Sequence, residues 1–138
     1  MAGYSGTPLV RKLGIKDGHR VLWAGAPEGF EATLGELPGG ATLARSARGD
    51  ARFDVIHVFA TRKAELEAAF AKLRPRLVEN GGLWVSWPKK TAGVATDLTE
   101  NVVREVGLAT GLVDNKVCAV DEVWSGLRFV VRVKDRKG

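Results

Sequence analysis

FDVIHVFATRKAELEAAFAKLRPRLVENGGLWVSWPKK, residues 53–90, holds one complete strand–helix–strand unit of a parallel sheet. Its opening, residues 53–59, carries Phe53, Val55, Ile56, Val58 and Phe59. That is too apolar for a strand with one wet face and typical of a strand buried on both. After Thr61 the apolar residues Leu66, Ala69, Phe70, Leu73 and Leu77 recur at helical spacing and mark a helix with one face turned inward. Pro75 has no N–H to give the carbonyl of Ala71, so a kink or break is predicted near Arg74. Asn80-Gly81-Gly82 reads as the turn into a second buried strand, residues 83–87. Residues 61–82 are long enough for the right-handed crossover that joins parallel strands, which needs about a dozen residues or more. A parallel sheet with helices packed on its faces is the economical architecture.

Outward from this unit the remaining elements follow the same logic. Thr7-Pro8 supplies a cap and a proline at the first helical position, and Gly14 follows Leu13, so residues 8–13 are predicted to form a short helix. Gly3, Ser5 and Gly6 ahead of it mark an irregular arm. Asp17-Gly18 turns the chain into a compact strand at residues 20–24, with an exit loop at 25–29. Residues 30–34 read as a short helix ended by Gly35 or by Pro38-Gly39-Gly40, and 41–45 as a further strand. Beyond a loop at 88–96, Asp97 and Glu100 form a capping-box pattern, and Leu98, Val102, Val103 and Val106 make an apolar stripe closed by Gly107. Residues 112–120 and 127–133 flank a turn at 121–126. Leu127, Phe129, Val131 and Val133 alternate there with Arg128, Arg132 and Lys134, as in an antiparallel hairpin.

At 138 residues, 45% of them apolar and 27% charged, the chain suffices for one substantial core and one α/β domain over 1–138. No apolar run reaches the ~18 residues of a membrane span, and residues 1–14 lack the apolar core of a secretory signal, which makes the cytoplasm the default compartment. Cys118 is the single cysteine and His19 and His57 are isolated, so neither an internal disulfide nor metal-ligand spacing is offered. The formal charge of +5 favours anionic partners. The basic residues are nevertheless spread along the chain, and no nucleic-acid-binding motif gathers them, so nucleic acid is a minority expectation.

Residues 21–30, VLWAGAPEGF, line up with the pattern VLDLGCGPGF of class I S-adenosylmethionine-dependent methyltransferases, keeping Val21, Leu22, Gly25, Gly29 and Phe30. The order of elements is similar to that fold as well. The resemblance implies a reduced, Rossmann-like, three-layer sandwich: a mainly parallel sheet with a C-terminal antiparallel hairpin. AGYSGTPL at 2–9, WVSWPK at 84–89 and LVDNKVCAVDEVWSGL at 112–127 also resemble a bacterial family that shares this fold and whose activity is not established. The departures from the methyltransferase pattern bear on function. Trp23 stands where the pattern has an acidic residue. Pro27 stands where it has a glycine that lets the backbone approach the cofactor with a free N–H. Arg45, with Arg48 close behind, takes the place of the acidic residue that grips ribose hydroxyls and suits a phosphate better. Ala-Thr-Arg at 60–62 replaces the Asn/Asp-Pro-Pro-aromatic run of amino-group methyltransferases. S-adenosylmethionine in its usual grip is therefore not expected, and the cofactor is left open.

In an open parallel sheet, ligands sit at the carboxyl ends of the strands. That edge is expected to gather Gly25, Pro27 and Gly29 from the first exit loop, Arg45 after the second strand, Thr61 and Arg62 at a helix start, and Trp87 and Lys89 beyond the last strand of the unit. Helix N-termini with Arg62, Lys63, Lys89 and Lys90 favour an anionic or nucleotide-like small molecule. Trp84 and Trp87 are read as alternating outward from one strand with Ser86 on the opposite side. Trp84 belongs to the core on this reading, and Trp87, beside Pro88, walls a pocket. Trp124 covers the core or a subunit contact. The adjacent Asp121 and Glu122 point apart and are turn residues, His57 is a hydrogen-bonded core histidine, and Cys118 is an inert buried thiol. The leading expectation is a non-catalytic binding or regulatory module. The alternatives are a divergent S-adenosylmethionine-dependent methyltransferase and a homodimeric interaction scaffold built on a sheet edge or the Trp124 hairpin.

Overall fold

A computed structural model of the chain describes residues 7–136. The irregular arm expected at Gly3, Ser5 and Gly6 lies outside the described residues. Ten elements follow one another: α1 (Leu9–Lys12), β1 (Arg20–Ala24), α2 (Phe30–Leu34), β2 (Thr42–Ala44), β3 (Phe53–Phe59), α3 (Lys63–Leu73), β4 (Leu77–Pro88), α4 (Glu100–Leu108), β5 (Leu112–Ala119) and β6 (Trp124–Val131). The strands form one sheet in the order β2-β1-β3-β4-β6-β5. β2, β1, β3 and β4 run parallel, and the β5–β6 hairpin joins antiparallel through β6 against β4. No helix is long and apolar enough to cross a membrane among the described residues.

The alternation of side chains along each strand divides the core into two layers. On one face Leu22, Ile56, Val58, Leu83, Val85 and Phe129 pack against Leu66, Phe70 and Leu73 of α3 and Val103 and Val106 of α4. On the other, Val21, Trp23, Val55, Phe59 and Trp84 pack against Leu9, Leu13 and Ile15 at the N-terminus and Phe30 and Leu34 of α2. The indole of Trp84 donates to the carbonyl of Leu13 at 2.9 Å, which ties α1 to the sheet.

Several local expectations are corrected by tertiary contacts. The helix does break where Pro75 predicts, passing into a 3₁₀ turn at Arg74–Arg76, but Leu77 is already the first residue of β4. Gly81-Gly82 is not a turn. β4 runs through it with a bulge, pairing Leu77 with Phe53 and Gly82 with Val55. A Cβ on Gly81 would lie 2.6 Å from the carbonyl oxygen of Asp54, and one on Gly82 would lie 2.4 Å from Arg128 Nε, so both glycines serve close approach. Asp97 and Glu100 do not form a capping box either. Thr99 caps α4, its hydroxyl accepting from the N–H of Val102, while the Asp97 carboxylate accepts from the N–H of Lys63 at 2.7 Å and caps α3 instead. Gly107 lies inside α4 rather than after it, with Phe129 against the space a side chain would need. Val133 has left the strand for a 3₁₀ turn and is 77% exposed.

Trp84 and Trp87 also part company. Three residues apart on a strand, they point to opposite faces, and Trp84 shares its face with Ser86. Trp84 packs in the α1/α2 layer and Trp87 in the α3/α4 layer, 5% exposed.

Candidate functional site

The carboxyl ends of β1 and β3 open into a cleft of about 340 Å³. Ala24 and Gly25 line it from β1, Val58 to Thr61 from β3, Glu65 and Ala69 from α3, and Trp124 from the start of β6. Gly25 makes the cleft floor possible. Its φ is +74°, and a Cβ there would stand 2.8 Å from the carbonyl oxygen of Phe59, a backbone atom held by the sheet.

The N-terminus of α3 forms one wall, and carboxylates already engage two amides there, one just before the helix and one at its first residue. The N–H of Thr61 donates to Glu65 Oε1 at 3.0 Å and that of Lys63 to Asp97 Oδ1 at 2.7 Å. The carbonyl of Thr61 in turn accepts from the hydroxyl of Thr96 at 2.6 Å, fastening the 96–97 loop to the rim.

Arg45 borders a neighbouring hollow of about 240 Å³, which shares Ala24 and Ala69 with the main cleft. Its guanidinium lies over the ring of Trp23, 5.0 Å from the centroid, and pairs with Glu31 of α2. The Glu31 carboxyl is held below its ordinary range first by its own backbone N–H and then by Arg45. The positive charge expected to meet a phosphate is thus engaged within the chain.

Of the residues singled out in the sequence, the structure brings Gly25 and Thr61 together in the cleft and sets Arg45 in the adjoining hollow. Pro27 and Gly29 shape the entry to α2 instead: the carbonyl of Pro27 accepts from the N–H of Phe30 at 3.2 Å, and Gly29, with φ +82°, is the α2 cap residue. Arg62 is exposed at the α3 cap position, Trp87 is core, and Lys89 fastens its N–H to the carbonyl of Val123 at 2.8 Å. None of these five lines the cleft. Sequence reasoning missed Glu65 and Ala69. The spacing of Glu65, four residues past Thr61 at a helix start, was the available signal. Trp124 reaches the rim because the antiparallel register sets it opposite Pro88.

Beneath the cleft, His57 is buried with its Nε2 2.6 Å from Ser86 Oγ and its ring stacked on Phe59 at 4.1 Å. Burial drives its pKa down to about 3, so the imidazole is neutral. Burial pushes the Cys118 thiol up, with Lys12 and Lys116 opposing. Asp121 accepts from the N–H groups of Val123 and Trp124 at 2.8 Å each, as a turn residue. Among the described residues no cluster of His, Cys, Asp or Glu is arranged to hold a metal ion. Among them, too, the one charged side chain lining the cleft is Glu65.

No family model matches the sequence, and no curated protein matches it. Solved structures do match in fold. A ribosomal protein L11 methylase from Lactobacillus delbrueckii subsp. bulgaricus superposes with a TM-score of 0.62 at 14% identity, covering 90% of this chain and 75% of that chain. A SAM-dependent methyltransferase from Aquifex aeolicus gives 0.62 at 16%, covering 88% and 86%. Aeropyrum pernix fibrillarin, determined with natively bound S-adenosyl-L-methionine, gives 0.57 at 14%, covering 93% and 70%. At such identities the likeness is one of backbone. With the parallel β2-β1-β3-β4 order, the helices on both faces and the antiparallel hairpin, this chain has the fold of the class I S-adenosylmethionine-dependent methyltransferases.

Proposed function

We propose that the protein is a binding or regulatory module whose strand-end cleft takes a nucleoside-like small molecule, without methyl transfer. The carrying observation is the lining of the cleft, which among the described residues combines a single charged side chain, Glu65, with the indole of Trp124. One oxygen of Glu65 serves the N–H of Thr61, which leaves the other to accept from ligand hydroxyls. A carboxylate suits the hydroxyls of a sugar and repels a phosphate, and an indole suits a flat base. This narrows the anionic or nucleotide-like ligand expected from the sequence to its nucleoside portion.

The usual grip on S-adenosylmethionine does not fit these residues. Pro27 offers no N–H in the loop, and Arg45, paired with Glu31, stands where an acidic side chain would hold the ribose. A second reading, a divergent methyltransferase, is favoured by Gly25, whose left-handed backbone and close approach to Phe59 keep the cleft floor open.

Calorimetric titration of the full chain with adenosine, S-adenosylhomocysteine, S-adenosylmethionine and AMP tests both. Saturable adenosine binding, no tighter for AMP, is expected, with Glu65→Gln weaker by about tenfold, the worth of one hydrogen bond to a charged group. Failure of all four to bind would end the nucleoside reading. Methyl transfer from labelled S-adenosylmethionine into a cell extract, abolished in Gly25→Arg, would establish the second.

A further inference from the structure

Among the described residues, two buried polar side-chain atoms have no hydrogen-bond partner within the protein: Trp23 Nε1 and His57 Nδ1. Buried polar groups are nearly always satisfied, so such a pair calls for an explanation. The two residues are direct cross-strand neighbours, Trp23 on β1 opposite His57 on β3, and both rings meet the same third ring. Phe30 lies edge-on to Trp23 at 5.0 Å, to His57 at 5.5 Å and to Phe59 at 4.9 Å, so it fills an aromatic cage floored by the sheet. Ser86 holds the far side of the imidazole, 2.6 Å from Nε2. In the tautomer whose Nε2–H donates to Ser86 Oγ, Nδ1 is an acceptor and the indole N–H of Trp23 a donor, an unsatisfied one of each on neighbouring strands.

The element that carries the plug is short and bounded by glycines, and it is held to the core by Phe30 and Leu34. α2 has five residues and no side-chain cap, and it is flanked by Gly29 at φ +82° and Gly35 at φ +84°. An ion pair, Glu31 with Arg45, joins its outer face to the end of β2, and both side chains are more than half exposed. Phe59 belongs to both the cage and the open cleft, so the cage adjoins the proposed ligand site.

We propose that the Phe30 cage is a second compartment of the ligand site, admitting a planar heteroaromatic base when α2 swings Phe30 out. The base would present an acceptor to Trp23 Nε1 and a neighbouring donor to His57 Nδ1, the pairing found on the N7/N6 edge of adenine. This rests on the nucleoside reading of the cleft and specifies where the base goes. Opening and filling such a pocket is a population shift, so removing the plug raises the affinity of the ligand that replaces it.

The test uses the full ¹⁵N-labelled chain, with adenine and adenosine as probes. Phe30→Ala is expected to bind adenine at least about tenfold more tightly than the unmodified protein. Adding Trp23→Phe is expected to cost about tenfold of that gain, the worth of one hydrogen bond. The indole N–H resonance of Trp23 and the imidazole nitrogens of His57 should shift on saturation. Phe30→Leu, which trims the plug with less loss of core, serves if the alanine variant does not fold. Adenosine binding that moves Gly25 and Trp124 while leaving the Trp23 indole unmoved would overturn the cage and leave the cleft reading standing. Adenine binding to the Phe30 variant, with no adenosine binding to the unmodified chain, would mark a cavity made by the substitution and overturn both the cage and the cleft reading. No gain in adenine affinity in either Phe30 variant overturns the cage.

Discussion

Replacing Gly107 by alanine sets two effects of opposite sign against each other. Gly107 sits within α4, where alanine is favoured over glycine by about 1 kcal/mol. Its Cβ would, however, fall 2.1 Å from Phe129 Cε1, 2.3 Å from Cζ and 2.6 Å from Cδ1. Phe129 has nowhere easy to go: it is fully buried and packed edge-on against Phe70 at 5.4 Å. Overpacking a core costs about 1–3 kcal/mol, and an overlap this deep belongs at the top of that range. The net is a loss of about 2 kcal/mol. With an unfolding entropy of about 2.1 cal/mol/K per residue over 138 residues, Tm should fall by roughly 7 °C. Thermal unfolding followed by circular dichroism measures it, and Phe129→Leu provides the control. Because leucine vacates the space the new methyl needs, the helix preference is no longer opposed and the double variant should be about 1 kcal/mol more stable than Phe129→Leu alone. A Tm for Gly107→Ala equal to or above that of the parent, or strict additivity in the double variant, would refute the packing argument.

Three further outcomes follow from the same contacts. The folded pKa of His57, about 3, lies below the usual 6.5, so between these values the unfolded chain binds one more proton. Its contribution is therefore present above pH 6.5 and lost as the pH falls toward 3, about 5 kcal/mol in all. Urea midpoints between pH 6.5 and 5 should decline in the parent and much less in His57→Gln, and equal slopes would contradict the neutral buried imidazole. Arg76 donates to the carbonyls of Ala51 at 2.6 Å, Ala47 at 2.8 Å and Arg48 at 3.3 Å, so Arg76→Ala should release the 47–51 loop and speed tryptic cleavage at Arg48; an unchanged cleavage rate would count against this strap. Asp97→Ala should cost about 1 kcal/mol by uncapping α3, and Asp97→Asn a smaller share. Equal stability of the alanine variant and the parent, measured by urea unfolding, would show the cap to be idle.

Elements governed by local chemistry are legible in the chain itself. The strand at 20–24, the short helix at 30–34, the buried strand at 53–59 and the break at Pro75 all stand where residue type and period put them. The glycines are harder. Gly81, Gly82 and Gly107 look like turn and cap residues along the chain, yet each is small because a distant atom occupies the space: the carbonyl of Asp54, the guanidinium of Arg128 and the ring of Phe129. Asp97 reads as a cap for the nearest helix in sequence, whereas its partner is the N–H of Lys63 on another. The cleft is legible as a place, through Gly25 and Thr61, but its chemistry is not. Glu65 gives it a negative charge, and Arg45, Lys89 and Arg62 do not line it.

The sequence by itself determined the α/β class, the parallel unit of residues 53–90 and the strand-end edge where Gly25 and Thr61 meet, because periodicity, chain stiffness and crossover length act over a few neighbouring residues. Tertiary structure alone decided that β6 lies between β4 and β5, which carboxylate caps which helix, that Arg45 is neutralised by Glu31, and that Trp23 and His57 share a cage closed by Phe30. Those outcomes depend on contacts between residues far apart in the chain, whose meeting is fixed by strand order and register and leaves no periodic trace along it.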